Sequence, residues 1–120
     1  MRIFKNTWFA RFADKEGIGD AELREAVDRL EAGQADADLG GGVYKVRVAR
    51  PGEGKSGGYR VIVFFRSEER TFYVYGFAKS ARANISGKEL KAYKESAKEH
   101  LTMTTEQFEQ KIMRGQLLEL

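Results

Sequence analysis

Cationic side chains gather in the middle of this sequence with spacing that suits phosphate chemistry. Lys45 and Arg47 alternate in VYKVRVAR, Arg50 and Lys55 flank the glycines of RPGEGKSGGYR, Arg60 closes that stretch, and Lys79 and Arg82 follow in FAKSAR. An arginine fork matches two non-bridging phosphate oxygens, whereas a lysine supplies a compact point charge. Such a set can bind a polyanion or stabilise charge that develops on phosphorus.

The glycine loop has to be weighed first as a nucleotide cradle. GEGKSG, residues 52 to 57, satisfies G-x-G-x-x-G by letter. That fingerprint works when a helix N-terminus follows and its amides hold the pyrophosphate, but here the strand-like YRVIVFF follows. A Walker loop ending in Gly54-Lys55-Ser56 would need glycine at position 49, where Ala49 stands. What is left is a strand, a glycine turn and a strand with cations at both rims. The glycines let backbone amides approach an extended phosphate chain; alternatively, the cations only keep a sheet edge soluble.

Composition narrows the field further. Residues 43 to 82 hold nine Lys and Arg against three Asp and Glu, residues 1 to 42 hold six against nine, and the remainder balances at six each. The net charge of +3 therefore hides a basic middle third that attracts nucleic acid or an acidic protein segment. The absence of cysteine excludes disulfides, thiolate zinc sites and thiol nucleophiles, and the single histidine, His100, excludes a histidine-rich metal site. No metal or cofactor is expected. MRIFKNTWFARFADKEG lacks an apolar run of signal-peptide length, and no window approaches the roughly 18 apolar residues of a spanning helix. A cytoplasmic protein without membrane contact is expected, as one domain over residues 1 to 120.

The elements that must position the cations follow from periodicity. Thr7 to Glu16 reads as a short amphipathic helix. Asp20 caps a second, with Leu23, Ala26, Val27 and Leu30 at helical spacing and Gly33 at its end. From Val43 the period becomes two, with Tyr44, Val46 and Val48 on one face and Lys45 and Arg47 on the other. YRVIVFFR and TFYVYGFA continue a three-strand meander, turned at SEER, and Ile3 with Phe4 can add an edge strand. Ser86 with Glu89 forms a capping box before Leu90, Tyr93, Ala97 and Leu101. Thr104 with Gln107 repeats it before Phe108, and residues 102 to 120 read as a helical extension whose QLLEL tail frays or docks. The aromatic residues Trp8, Phe9, Phe12, Phe64, Phe65, Tyr73 and Tyr75 read as core. Tyr59 borders the basic rim, where it packs or stacks on a nucleobase, and His100 reads as surface.

GGVYKVRVARPGEGKSGGYRVIVFF followed by FYVYGFAKSARANIS resembles the toxins of bacterial type II toxin–antitoxin modules, in the RelE/ParE superfamily and nearest its HigB-like branch. The resemblance is strongest over residues 40 to 101. It implies an α+β, RelE-like fold: an N-terminal helical hairpin packed on a twisted, mainly antiparallel sheet, closed by a C-terminal helix. It also implies a metal-independent endoribonuclease, an mRNA interferase that cuts messenger RNA on the ribosome and inhibits translation. Its partners would be the ribosome with its mRNA and a cognate antitoxin of HigA-like, helix-turn-helix type. The family's basic pair on the first strand falls on Lys45 and Arg47, its second-strand arginine on Arg60, and its later cations on Lys79 and Arg82. Ser80 stands where many relatives have arginine, and Ser86 where they have tyrosine.

Attack by a ribose 2′-hydroxyl on its own phosphodiester needs in-line geometry, a proton acceptor, charge stabilisation and a proton for the leaving 5′-oxygen. In this scheme Arg60 clamps the non-bridging oxygens with Arg47, Lys45 accepts the proton, and Lys79 or Arg82 serves the leaving group. Arg50, Lys55 and Tyr59 extend RNA binding. Two other classes stay open: a ParE-like toxin directed at DNA gyrase, and a non-catalytic RNA-binding module for which the charge partition suffices.

Overall fold

A computed structural model describes residues 1–50 and 54–120, with the backbone alone at 54–56. The chain runs β1 (Arg2–Asn6), α1 (Thr7–Glu16), α2 (Asp20–Glu31), β2 (Ala37–Gly40), β3 (Val43–Arg50), β4 (Gly54–Arg66), β5 (Arg70–Ala78), α3 (Gly87–Leu101), α4 (Thr105–Met113) and β6 (Leu117–Glu119). The strands form one sheet in the order β2-β3-β4-β5-β1-β6. All neighbours pair antiparallel except β1 and β5, which are parallel. The α+β expectation and the β3-β4-β5 meander hold.

Each face of the sheet has its own core, because strands buried on both sides carry apolar residues at successive positions. Val46, Val48, Tyr59, Val61 and Tyr73 pack with Phe9, Leu23, Val27 and Leu30 of α1 and α2. Phe4, Ile62, Phe64 and Phe72 pack with Ala97 and Phe108 of α3 and α4 on the other side. Local signals set the helix ends. Asn6 Oδ1 accepts from the Phe9 amide at 2.7 Å, and Gly17 closes α1 at φ 72°. Ser86 and Thr104 form the expected capping boxes of α3 and α4. At α2 the cap is Gly19 rather than Asp20, which lies inside the first turn, where its charge complements the helix dipole.

Three expectations are corrected. The chain does not open on the expected helical hairpin: β1 precedes α1 and α2 and is an interior strand, with Ile3 and Phe4 on opposite faces and both covered, so it has no solvent side. The chain is closed by two helices and a strand, since the tail docks as β6 beside β1, where Arg2 and Glu119 form a paired hydrogen-bonded bridge. A strand that the sequence reading lacks, the short edge strand β2, places Leu39 against the α3-side core and leaves Asp38 exposed. His100 is half-buried between the rings of Phe64 and Phe72, 5.4 and 5.0 Å away, with Nδ1 bonded to the Ser96 carbonyl at 2.8 Å. Burial holds its imidazole below the ordinary range. Among the described residues no helix is long and apolar enough to cross a membrane.

Candidate functional site

The β3–β4 ladder builds a cationic shelf. Val46, Val48, Tyr59 and Val61 face α1 and α2, so strand alternation sends Lys45, Arg47 and Arg60 to the opposite face. The register places Arg47 against Arg60, Lys45 against Ile62, and Phe77 of β5 on the other flank of Arg60. Farther along β4, Ile62 and Phe64 lie in the core with α3. Arg60 comes two positions before Ile62, at the end of the sheet toward which the glycine turn lies.

Arg60 is the buried member of the set, 7% exposed, and its Nη1 has no hydrogen-bond partner. A buried donor left unpaired costs about 1–3 kcal/mol, so the sequence tolerates a loss of stability at this position. Arg47 is exposed and pairs with Asp36 at 3.1 Å. Its backbone carbonyl also accepts from Arg29 of α2. Among the described residues Lys45, half-exposed, and Lys79, exposed, have no ion-pair partner. Lys79 follows the last residue of β5 and lines an open groove of about 330 Å³ with Gly57, Gly58 and Ser80. Gly58 is required there: a Cβ would lie 2.2 Å from the Val48 carbonyl oxygen.

Arg82 is bound differently from the other cations. Its guanidinium pairs with both oxygens of Glu89, donates to the Asn84 carbonyl at 2.7 Å and to the Tyr75 hydroxyl at 3.2 Å, and lies 5.8 Å from the Tyr75 ring centre. The hydrogen bonds to Glu89 raise the Arg82 pKa, and in return Arg82, with the Ser86 cap behind it, holds the Glu89 carboxyl down at about 2. Ser86, at the position where the expected tyrosine is missing, is occupied as the cap of α3.

The phenols near the shelf come from elsewhere. Tyr75 is half-exposed, with its hydroxyl bonded by Arg82 and its ring 6.4 Å from Tyr93. The Tyr93 phenol is pushed up to about 12, first by burial and then by Glu89. Sequence periodicity assigned Tyr75 to the core because it alternates with Tyr73 and Phe77. The β-bulge between Ile62 and Val63 shifts the β4–β5 register, so that Tyr73 and Tyr75 no longer share a face. A bulge leaves no signal in hydrophobic alternation.

Two of the RNA-binding candidates lie away from the shelf. Tyr59 is 1% exposed in the α1-side core, and its hydroxyl donates to Glu16 at 2.9 Å. Alternation from Arg60 turns it away from the shelf, so of its two expected roles, packing or stacking on a nucleobase, it packs. Arg50 lies over the Tyr59 ring at 5.6 Å, after a register shift between Val48 and Arg50, and so stands on that same side. The side chain of Lys55 and residues 51–53 lie outside the described residues. Trp8 also reads as core from its spacing but is 44% exposed, with its ring stacked on Phe12 at 5.3 Å and tilted against Tyr75 at 4.6 Å.

The family model described as "RelE toxin of RelE / RelB toxin-antitoxin system" matches residues 1–120.

Proposed function

Since the chain belongs to the RelE toxin family, and so to a toxin–antitoxin system, we propose that it is a metal-independent endoribonuclease that cuts messenger RNA on the ribosome. The reading includes a HigB-like affiliation, a cytoplasmic site of action and a helix-turn-helix antitoxin that silences the toxin. One observation carries it. Arg60 keeps a buried guanidinium with an unpaired N–H on the face that also presents Arg47 and Lys45. Charge-assisted bonds from that fork to non-bridging phosphoryl oxygens would offset the cost of keeping it unpaired.

The remaining roles follow from charge and position. Lys45, two residues along β3 from Arg47 and without a carboxylate partner among the described residues, takes the proton of the 2′-hydroxyl in its neutral amine form and becomes the ammonium. Lys79, beside the glycine groove, donates a proton from its ammonium to the departing 5′-oxygen. Arg82 is saturated by Glu89 and acts on Tyr75, whose hydroxyl it holds beside the shelf. Tyr75 thereby replaces the phenol absent at position 86. Orientation of the RNA by the ribosome contributes several kcal/mol of the roughly 7–11 available from well-placed reactants, so fixed positive charge is the protein's main share.

The test is a cell-free translation system with mapping of RNA ends. The wild-type chain is expected to arrest translation with breaks placed on the codon in the ribosomal A site, and Arg60→Ala to abolish both. Arrest without breaks, accompanied by gyrase-linked DNA damage, would assign the chain to a ParE-like activity. Salt-sensitive RNA binding with no cleavage on translating ribosomes would leave only a binding module.

A further inference from the structure

Helix α1 presents a second cationic feature that the shelf does not use. Trp8, Arg11, Phe12 and Lys15 recur at i, i+3, i+4 and i+7, forming one stripe along the helix. Together they line an open groove of about 340 Å³. Trp8 follows the end of β1, where Asn6 Nδ2 donates to the Val74 carbonyl at 3.1 Å, so its indole sits at the margin of β5 where β1 leaves the sheet. There it packs on Tyr75, which is hydrogen-bonded to Arg82. An aromatic and cationic track thus runs from the region of Arg82 and Tyr75 across the margin of β5 onto α1.

The arrangement is costly for an isolated domain. Arg11 and Lys15 are like charges at i, i+4, which destabilises a helix. Among the described residues neither has an ion-pair partner, although the exposed Asp14 shares a second groove with Arg11 on the flank of the stripe. An exposed indole beside two unpaired cations is the composition of a single-strand binding surface, where bases stack on aromatic faces and cations follow the backbone. An acidic peptide would satisfy the charges but would not require a planar, solvent-facing indole continuous with Tyr75.

We infer that the α1 stripe is a second RNA subsite: a nucleobase flanking the cleaved linkage stacks on Trp8, and Arg11 and Lys15 bind phosphates farther along the same strand. The inference rests on the RNA-cleaving reading above. It extends the contact surface from the cationic shelf to α1.

Trp8 is the only tryptophan in the chain, so its fluorescence reports the subsite directly. The probe is a labelled single-stranded RNA of about ten nucleotides, long enough to cover a typical single-strand site, with 2′-O-methyl sugars to block cleavage. Anisotropy of the label reads total binding, while quenching and acrylamide shielding of Trp8 read stacking. With the full-length chain, saturation is expected to quench and shield Trp8. Arg11→Ala combined with Lys15→Ala is expected to weaken binding about ten-fold at low salt and lower the salt slope by about 1.4, at roughly 0.7 for each phosphate contact on a single strand. Arg60→Ala is expected to lose cleavage on ribosomes yet retain Trp8 quenching. Binding by anisotropy with unchanged Trp8 fluorescence, or a double variant that binds like wild type, overturns the subsite while leaving the nuclease reading in place. Absence of both RNA binding and cleavage on translating ribosomes overturns the two together.

Discussion

Arg47 and Arg60 are direct partners across the antiparallel β3–β4 ladder, on the sheet face opposite Val48 and Tyr59. Like charges opposed in a sheet repel, and here one of the two is buried with an unmet donor. Local stability has been given up at this place, as expected where a charge waits for a ligand.

Replacing Arg60 by methionine removes that repulsion and keeps most of the packed volume. Arg60→Met is expected to gain about 1–2 kcal/mol in urea unfolding, by analogy with buried charges replaced by apolar residues, and to lose translation arrest. A variant that is both less stable and still toxic would contradict the role given to Arg60.

Ser86 separates a structural role from a catalytic one. Its hydroxyl accepts from the Glu89 amide at 3.1 Å as the cap of α3. Ser86→Ala is expected to lower stability by about 1 kcal/mol with unchanged cleavage rate per folded molecule, measured by denaturation and by RNA-end yield. Tyr75→Phe is expected to show the opposite pattern, with near-wild-type stability and slower cleavage.

Acid should weaken the fold in two stages. His100 is held below its ordinary value of 6.5 by burial, so the unfolded chain takes up its proton first and stability declines as pH drops below 6.5. Glu89 is held at about 2, against an ordinary 4.5, by Arg82 and then by the Ser86 cap. Its contribution is present above 4.5 and is lost as pH falls from there toward 2. Melting temperature followed against pH is expected to decline through both windows. His100→Gln should flatten the upper decline and Glu89→Gln the lower one.

Gly58 tests how tightly β3 and β4 are held beside the shelf. A Cβ there would meet the Val48 carbonyl oxygen at 2.2 Å and the Arg50 nitrogen at 3.0 Å, both backbone atoms that cannot swing aside. Gly58→Ala is expected to cost about 2–3 kcal/mol in chemical denaturation. Because Tyr59 and Arg60 follow directly, cleavage is expected to fall even where the variant remains folded.

Much of this architecture was legible from residues alone. Capping boxes at Ser86 and Thr104 announced α3 and α4, and the two-residue period from Val43 onward separated Lys45 and Arg47 from their apolar neighbours. β1 was underestimated because the pair Ile3 and Phe4 is too short to show that both faces are covered. β6 was missed because LLE acquires strand geometry only by pairing with β1. Tyr59 reads as a neighbour of the shelf through its nearness to Arg60 in sequence, although adjacent strand residues point in opposite directions and it packs in the core.

Short-range physics was therefore readable without a structure: helix periods, caps, strand alternation and the concentration of cations in the middle third, all of which depend on residues a few positions apart. Tertiary structure decided which strands became neighbours, that a bulge turns Tyr75 away from the side of Tyr73, that Glu89 captures Arg82, and that Trp8 emerges beside Tyr75. Those outcomes depend on pairings between segments tens of residues apart, whose register and packing no local pattern encodes.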